Sequence, residues 1–287
     1  MELEPEGILS NDPPVPPSAA SDPVLERIEA ALNEGRELEA LQMAEDALAA
    51  DEADRLDLLF LAGDALLRLG DARAAEVRFR EILASDRDCQ GTRCSLALSL
   101  FKQCRFEEAW EALDQAKAVP DPVSDVHVVE GLLLEREGKL READECFRRA
   151  HDLDPEHHRL PIRYSKKKFD RQVEKAIALL PKEFRKHLDA VPVIVDLLPP
   201  EDLLLGDGYA EDPEILGLFD GVPLAETGDG LGGEISEPNY IYLFQRNIER
   251  FALDEKDLVE QVRVTLYHEL AHYLGFDEEG VDDLGLA

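Results

Sequence analysis

The chain has 287 residues, of which 44% are hydrophobic, so it is long enough for two ordinary domains with folded cores. Its formal net charge of −33 opposes the phosphates of nucleic acids and anionic lipids, so we expect neither nucleic acid nor a membrane as a partner. No apolar run of the sequence reaches the length of a membrane span, which argues against a transmembrane segment.

Residues 1–21 are acidic and rich in proline, without the basic start and the apolar stretch of a secretory signal. We therefore predict a disordered tail over this segment. The four cysteines form no CxxC pair, and they lie far along the chain from the histidine motif described below (Cys89, Cys94, Cys104 and Cys146). Buried, reduced thiols are expected rather than a zinc knuckle, and they favour a cytoplasmic location.

Three segments align at an interval of 34 residues, beginning near Leu56, Gln90 and Ser124. Two small residues and one bulky apolar residue recur at fixed offsets in them: Gly63, Ala97 and Gly131, then Ala75, Ala109 and Ala143, then Phe79, Leu113 and Phe147. The small residues let two helices approach closely, and the bulky residue is expected to fill the gap against the next hairpin. A weaker unit over about 22–55, with one extra residue, is expected to form the N-terminal cap.

This pattern resembles the tetratricopeptide repeat, whose period is 34 residues. The resemblance implies an all-α solenoid of helical hairpins over residues 22–157. It also implies a concave groove that binds a protein or peptide partner. A spacer or a stabilising cap for the second half of the chain stays open as an alternative role, because a fold alone does not fix a function.

A basic segment follows Pro155 and opens the second domain, which we predict over residues 158–287. Apolar residues recur at helical spacing within this segment and predict an amphipathic helix (Phe169, Val173, Ile177 and Leu180). A basic helix can bind nucleic acid, but the net charge of the chain favours a solvated face that pairs with acidic neighbours.

Two segments of the second domain have the pattern of strands: VPVIVDL (191–197), which is rich in branched residues, and the alternating residues 240–243. Residues 196–237 contain twelve acids and no lysine or arginine, and their glycines and prolines predict a long loop region. These acids do not follow the DxDxDG spacing, which argues against a calcium site.

The last long helix is predicted from 254 to 275, in the sequence DEKDLVEQVRVTLYHELAHYLG. Asp254 and Asp257 are placed to cap its start, and Gly275 is placed to end it. Within it, His268 and His272 lie four residues apart and therefore on one face, where both imidazoles can bind Zn²⁺. Glu269 is placed to act as the general base for a metal-activated water. The sequence HELAH thus has the form of the HExxH motif, in which two histidines bind the metal and the glutamate is the base.

A third zinc ligand is needed to complete such a site. Only 15 residues follow His272, which leaves little room for the arrangement that takes a glutamate from a distant second helix. In the HExxHxxG pattern the ligand lies ten residues after the first histidine, and Glu278 occupies that position. Four neighbouring acids stay open as alternatives: Asp277, Glu279, Asp282 and Asp283.

Residues from about 164 to 287 resemble the small bacterial zincin-like metallopeptidases, which are compact domains ending in HExxHxxGxxD. The likeness includes FDRQVEKAIALLPKEFRKHL, VPVIVDL, LGLFDGVPL and NYIYLFQRNIER besides HELAHYLG. It implies His268 and His272 as metal ligands, Glu269 as the base and position 278 as the third ligand. Glutamate at 278 departs from the aspartate that is usual there.

Together these features predict an α+β protein, with an N-terminal all-α tetratricopeptide-like solenoid and a C-terminal small α+β minimal zincin domain. The expected function is that of a cytoplasmic, bacterial-type zinc metallopeptidase whose repeats bind a protein partner or substrate. Two alternatives stay open: a non-catalytic interaction scaffold in which the metal is structural, and an amidase that acts on a non-protein substrate. Tyr267 and Tyr273 flank the site, and either could steady an oxyanion, although packing is favoured for Tyr273.

Overall fold

The structure is a computed structural model that describes residues 22–86, 89–119, 123–205, 212–224, 238–277 and 280. The predicted tail over residues 1–21 lies outside the described residues. The first part is the repeat array, formed by α1 Pro23–Asn33, α2 Glu37–Ala50, α3 Arg55–Arg68, α4 Ala72–Ser85, α5 Gln90–Lys102, α6 Phe106–Lys117, α7 Ser124–Arg136 and α8 Leu140–Leu153.

The helices of the repeat array pair as antiparallel hairpins, and the turn inside each hairpin has one residue in the left-handed region. These residues are Gly35, Gly70, Cys104 and Gly138, with φ angles of 70°, 84°, 57° and 73°. Glycine adopts this region without steric cost, whereas Cys104 is strained there. The turn residues are 35, 34 and 34 positions apart, which confirms that the first unit has one extra residue.

Glycine in the first helix of a hairpin makes room for an aromatic ring of the second. A Cβ added at Gly63 would lie 2.5 Å from Cε1 of Phe79, and one added at Gly131 would lie 2.7 Å from Cε1 of Phe147. The bulky residue therefore packs directly against the glycine of its own hairpin, whereas the sequence pattern predicted that it would fill the gap against the next hairpin. In the middle repeat Ala97 stands at the glycine position, and the smaller Leu113 stands where the others have phenylalanine.

The second part contains five helices and three strands in the described residues. They are α9 Lys166–Leu179, α10 Lys182–Arg185, β1 Val193–Asp196, α11 Glu201–Leu204, β2 Gly217–Asp220, β3 Tyr240–Phe244, α12 Gln245–Phe251 and α13 Glu255–Leu274. The sheet order is β1-β3-β2, with β1 parallel to β3 and β2 antiparallel to β3. The predicted strands near 193 and 241 are confirmed.

Strand β2 lies within the segment 196–237 that the sequence predicted as a loop region, so that prediction is wrong for residues 217–220. The strand has only four residues, begins with glycine and ends with aspartate, so its composition gives no strand signal. Its pairing is set by the register with β3, in which Gly217 faces Leu243 and Asp220 faces Tyr240.

The core of the second part joins α9 and α13 to the sheet. Phe169 and Val173 of α9 are buried in one cluster with Leu258, Val262 and Leu266 of α13, so the predicted apolar faces of both helices are confirmed. The exposed face of α9 is basic, and two of its lysines approach the carboxylate of one acid: Lys168 at 3.7 Å and Lys175 at 3.5 Å from Glu255. No helix in the described ranges is long and apolar enough to cross a bilayer.

A cluster of charged side chains joins the repeat array to the second part. The carboxylate of Glu135 on α7 is 1% exposed and lies 3.0 Å from Arg163, 2.9 Å from Arg246 and 2.6 Å from Arg250. Asp144 on α8 lies 2.7 Å from Arg163 and 3.0 Å from Arg246. The two parts are therefore held by charges that are largely withdrawn from water, and such charges require their partners.

None of the four cysteines forms a disulfide, which agrees with the predicted reduced state, but they differ in burial. Cys94 and Cys146 are buried, and loss of hydration raises the pKa of both thiols, that of Cys146 to about 11. Cys89 and Cys104 are only half-buried, so the expectation of buried thiols is wrong for these two.

Candidate metal centre

The two histidines of the HELAH motif converge on one point beside the last turns of α13. The Nε2 atoms of His268 and His272 lie 2.9 Å apart, and their ring centroids lie 4.7 Å apart. The spacing of four residues on a helix explains this convergence, because it places both side chains on the same face.

The helix cap fixes the orientation of the second histidine. Gly275 ends α13 with a left-handed φ of 95°, and the chain turns so that the Phe276 N–H donates to the Ala271 carbonyl at 3.1 Å. The same turn brings the Phe276 carbonyl oxygen to 3.1 Å from Nδ1 of His272. When Nδ1–H donates to this oxygen, Nε2 presents its lone pair on the side of His268.

Glu269 lies between the sheet and the histidines, and it is 7% exposed. Its Oε2 accepts a hydrogen bond from the backbone N–H of Phe219 in β2 at 2.8 Å. This bond holds the carboxylate in one orientation. The sequence placed Glu269 beside the site but gave no partner for it, because Phe219 is 50 residues away along the chain.

Strand β2 approaches this face of α13 closely because it begins with glycine. A Cβ at Gly217 would lie 2.5 Å from Cγ2 of Thr265, 2.9 Å from the Tyr242 carbonyl oxygen and 3.3 Å from Cγ of Glu269. Any side chain at this position would push the strand away from the helix. The only sign of this contact in the sequence is the segment LGLFDGVPL, one of the segments that resemble the zincin-like family.

The third predicted ligand, Glu278, lies outside the described residues. Three of its alternatives also lie outside them: Glu279, Asp282 and Asp283. The fourth, Asp277, uses Oδ1 to accept a hydrogen bond from Gly280 N–H at 3.0 Å. Among the described residues, no group of three or more histidine, cysteine, aspartate or glutamate side chains is arranged to hold a metal ion. The ligand set therefore stays a prediction.

The positions of His268 and His272 are compatible with a shared zinc ion. Imidazole nitrogens bind zinc at about 2.0–2.1 Å, and the 2.9 Å between the two Nε2 atoms is less than twice that bond length. One ion can therefore reach both nitrogens. Without a metal, one Nε2 atom can donate a single hydrogen bond to the other. A bound ion would instead accept the lone pairs of both Nε2 atoms.

The two tyrosines that flank the motif pack against neighbouring rings. Tyr267 makes an edge contact with Phe184, with 4.2 Å between the ring centroids. Tyr273 is buried and lies 5.8 Å from the ring of Phe219, which agrees with the favoured packing role.

Residues 188–286 match the model of a family described as zincin-like metallopeptidase, and residues 124–157 match that of the tetratricopeptide repeat. No curated protein matches the chain.

Several solved structures are similar to part of the chain. One is TTC0263, a thermophilic TPR protein in Thermus thermophilus, at 19% identity and a TM-score of 0.42, covering 59% of this chain and 90% of that chain. MamA from Desulfovibrio magneticus RS-1 is 20% identical, with a TM-score of 0.38 and coverages of 58% and 87%. YrrB, a TPR protein with an unusual peptide-binding site, is 19% identical, with a TM-score of 0.37 and coverages of 47% and 69%. The two family matches, at residues 124–157 and 188–286, show that the chain contains a tetratricopeptide repeat and a zincin-like metallopeptidase domain.

Proposed function

We propose that this protein is a zinc-dependent peptidase, in which His268, His272 and Glu278 bind the metal and Glu269 is the catalytic base. The observation that carries the proposal is the convergence of two Nε2 atoms at 2.9 Å, next to a carboxylate that is held in a fixed orientation. The match of residues 188–286 to the zincin-like metallopeptidases supports the same reaction class. We place the boundary between the two domains at 157 and 158, and the protein in the cytoplasm.

Zinc bound at such a site polarises a carbonyl group and lowers the pKa of water. Glu269 takes a proton from the attacking water on its carboxylate and later delivers that proton to the departing amine. His272 is kept in the required orientation by the carbonyl oxygen of Phe276.

We propose that the repeat array binds a protein or peptide and supplies it to the peptidase domain as substrate or partner. The tetratricopeptide repeat at residues 124–157 supports this role, because stacked helical hairpins offer extended concave surfaces.

The substitution Glu269→Gln tests the mechanism, because it keeps the size of the side chain and removes its basicity. We expect zinc content, measured by elemental mass spectrometry, to stay at the wild-type level. Hydrolysis of a labelled unfolded protein should fall at least about a hundredfold, the usual contribution of a general base.

Glu260→Gln is the matched control, since Glu260 lies on the same helix and pairs with Arg263 at 2.5 Å on the exposed surface. Its activity should equal that of the wild type. Equal hydrolysis by Glu269→Gln and wild type would rule out the mechanism. A zinc-loaded wild type that cleaves no peptide or amide substrate would favour the interaction scaffold with a structural metal.

A further inference from the structure

A lysine of the repeat array reaches into the second domain. Lys102 is the last residue of α5, and its Nζ lies 2.7 Å from Oδ2 of Asp212 and 3.0 Å from Oε2 of Glu214. Its side chain is 20% exposed. Loss of hydration opposes the charge of this lysine, but the nearby carboxylates of Glu214 and Asp212 outweigh that effect and raise its pKa above the ordinary value. The contact is therefore an ion pair at neutral pH.

The segment that Lys102 holds is also fixed from the other side. The side-chain amide of Asn247 on α12 donates to the carbonyl oxygens of Pro213 at 2.9 Å and Ile215 at 2.7 Å. Arg250, one turn later, lies 3.3 Å from Glu214. Residues 212–216 thus lie between the repeat array and α12. Lys102 of the array holds residues 212 and 214, and Asn247 of α12 holds residues 213 and 215.

This segment runs directly into the strand that contacts the proposed base. The Leu216 carbonyl accepts from Phe244 N–H at 2.9 Å, and β2 begins at the next residue. Two residues further on, the Phe219 N–H donates to Oε2 of Glu269 at 2.8 Å. The anchor at Glu214 lies five residues before the hydrogen bond at Phe219, and a turn at residues 213–214 and the start of β2 connect the two.

We propose that Lys102 of the repeat array is a positioning residue for the zincin-like site, because it fixes the segment 212–216 and thereby seats β2 against Glu269. The repeat array then forms part of the frame of the site rather than a separately tethered binding module. The consequence for hydrolysis rests on the proposed function, whereas the structural linkage does not.

The linkage is tested by amide hydrogen exchange on the full chain, with Lys102→Met as the variant. Methionine keeps most of the length of the side chain and removes the charge. We expect the Phe219 amide to exchange about tenfold faster or more in this variant, because the opening of β2 becomes easier. Exchange in the hairpin formed by α5 and α6 should stay unchanged.

Two variants serve as controls. Lys117→Met removes a lysine of the same array that pairs with Glu130 on α7, and it should leave the Phe219 amide at the wild-type rate. Lys102→Arg retains the charge and should restore protection. Asp212→Asn neutralises the closer acidic partner of Lys102 and leaves the pair of Glu214 with Arg250 intact. It should also accelerate exchange at Phe219, and combining it with Lys102→Met should give less than the sum of the two effects.

Unchanged exchange at Phe219 in Lys102→Met would overturn the proposal, and so would an equal acceleration in Lys117→Met. If Lys102→Met does not fold, Asp212→Asn takes its place, and unchanged exchange at Phe219 in that variant overturns the proposal. Where the wild type hydrolyses a peptide, Lys102→Met should lower kcat with zinc retained. A wild type without activity would count against the peptidase and leave the exchange result valid.

Discussion

The contact between Phe219 and Glu269 holds one carboxylate oxygen of the candidate base in a fixed position. A backbone donor suits this task, because it belongs to a strand and loses little freedom when the bond forms. The contact also requires close approach of the strand to the helix, which the absence of a side chain at Gly217 permits. The geometry of the site thus depends on Gly217 and on the backbone amide of Phe219, as well as on the ionisable side chains.

The identity of the third metal ligand depends on single side chains after Gly275. The turn at Gly275 reverses the chain after His272, and Asp277 uses one oxygen to bind Gly280 N–H. We therefore expect Glu278→Ala to weaken zinc binding at least about a hundredfold, more than the loss of an outer-shell partner would. Competition with a chromophoric chelator measures this affinity.

Asp277→Ala is the matched control for Glu278→Ala and should retain stoichiometric zinc. The reverse result, with zinc lost from Asp277→Ala and kept by Glu278→Ala, would reassign the ligand to Asp277. Tight zinc in both variants would transfer the role to Glu279, Asp282 or Asp283.

At the scale of elements, size matching between glycine and phenylalanine controls how closely the two helices of a hairpin approach. We expect Gly131→Ala to destabilise the protein by about 1–2 kcal/mol, because overpacking against the ring of Phe147 exceeds the gain in helix propensity. Urea denaturation followed by circular dichroism measures the change.

Two variants separate this clash from a general effect of alanine. Gly91→Ala lies in α5, where an added Cβ meets nothing within 4 Å, and it should stabilise the protein by up to about 1 kcal/mol. Combining Gly131→Ala with Phe147→Leu imitates the natural pair of Ala97 and Leu113, so the double variant should be more stable than additivity predicts. Stabilisation by Gly131→Ala alone would contradict size matching.

The elements that the sequence predicted are those whose signal is local. The 34-residue interval predicts the helical hairpins of the repeat array. Asp254 and Gly275 correctly predict where α13 begins and ends. Within the site, the four-residue spacing of His268 and His272 is likewise local. Strand β2 depends instead on pairing with β3, and the partner of Glu269 depends on where that strand lies, so neither follows from nearby residues.

At the scale of the whole molecule, Glu135 joins the array to the second domain through three arginines. Removing it would leave these charges withdrawn from water without their shared partner. We expect Glu135→Ala to cost about 3–5 kcal/mol of unfolding free energy, as for other broken buried ion pairs. Urea denaturation followed by circular dichroism and by the fluorescence of Trp110, the single tryptophan, measures it.

Glu137→Ala is the control for Glu135→Ala, because Glu137 lies at the end of the same helix and pairs with Lys139 on the exposed surface at 2.6 Å. It should change the unfolding free energy by no more than about 0.5 kcal/mol. Equal stability of Glu135→Ala and Glu137→Ala would show that the charge cluster is not needed to hold the two parts together.

The charge cluster also has a consequence for the order of folding. Two ion pairs between the array and the second domain join residues that are far apart in sequence, by 115 positions for Arg250 and Glu135 and by 110 for Lys102 and Asp212. The hairpins of the array close over short distances, so they form early and from the N-terminus during synthesis. We therefore expect the finished array to present Lys102, Glu135 and Asp144 as a preformed surface for the later half of the nascent chain. In that order of folding, the repeats serve as a template, within the same polypeptide, for the domain that follows them.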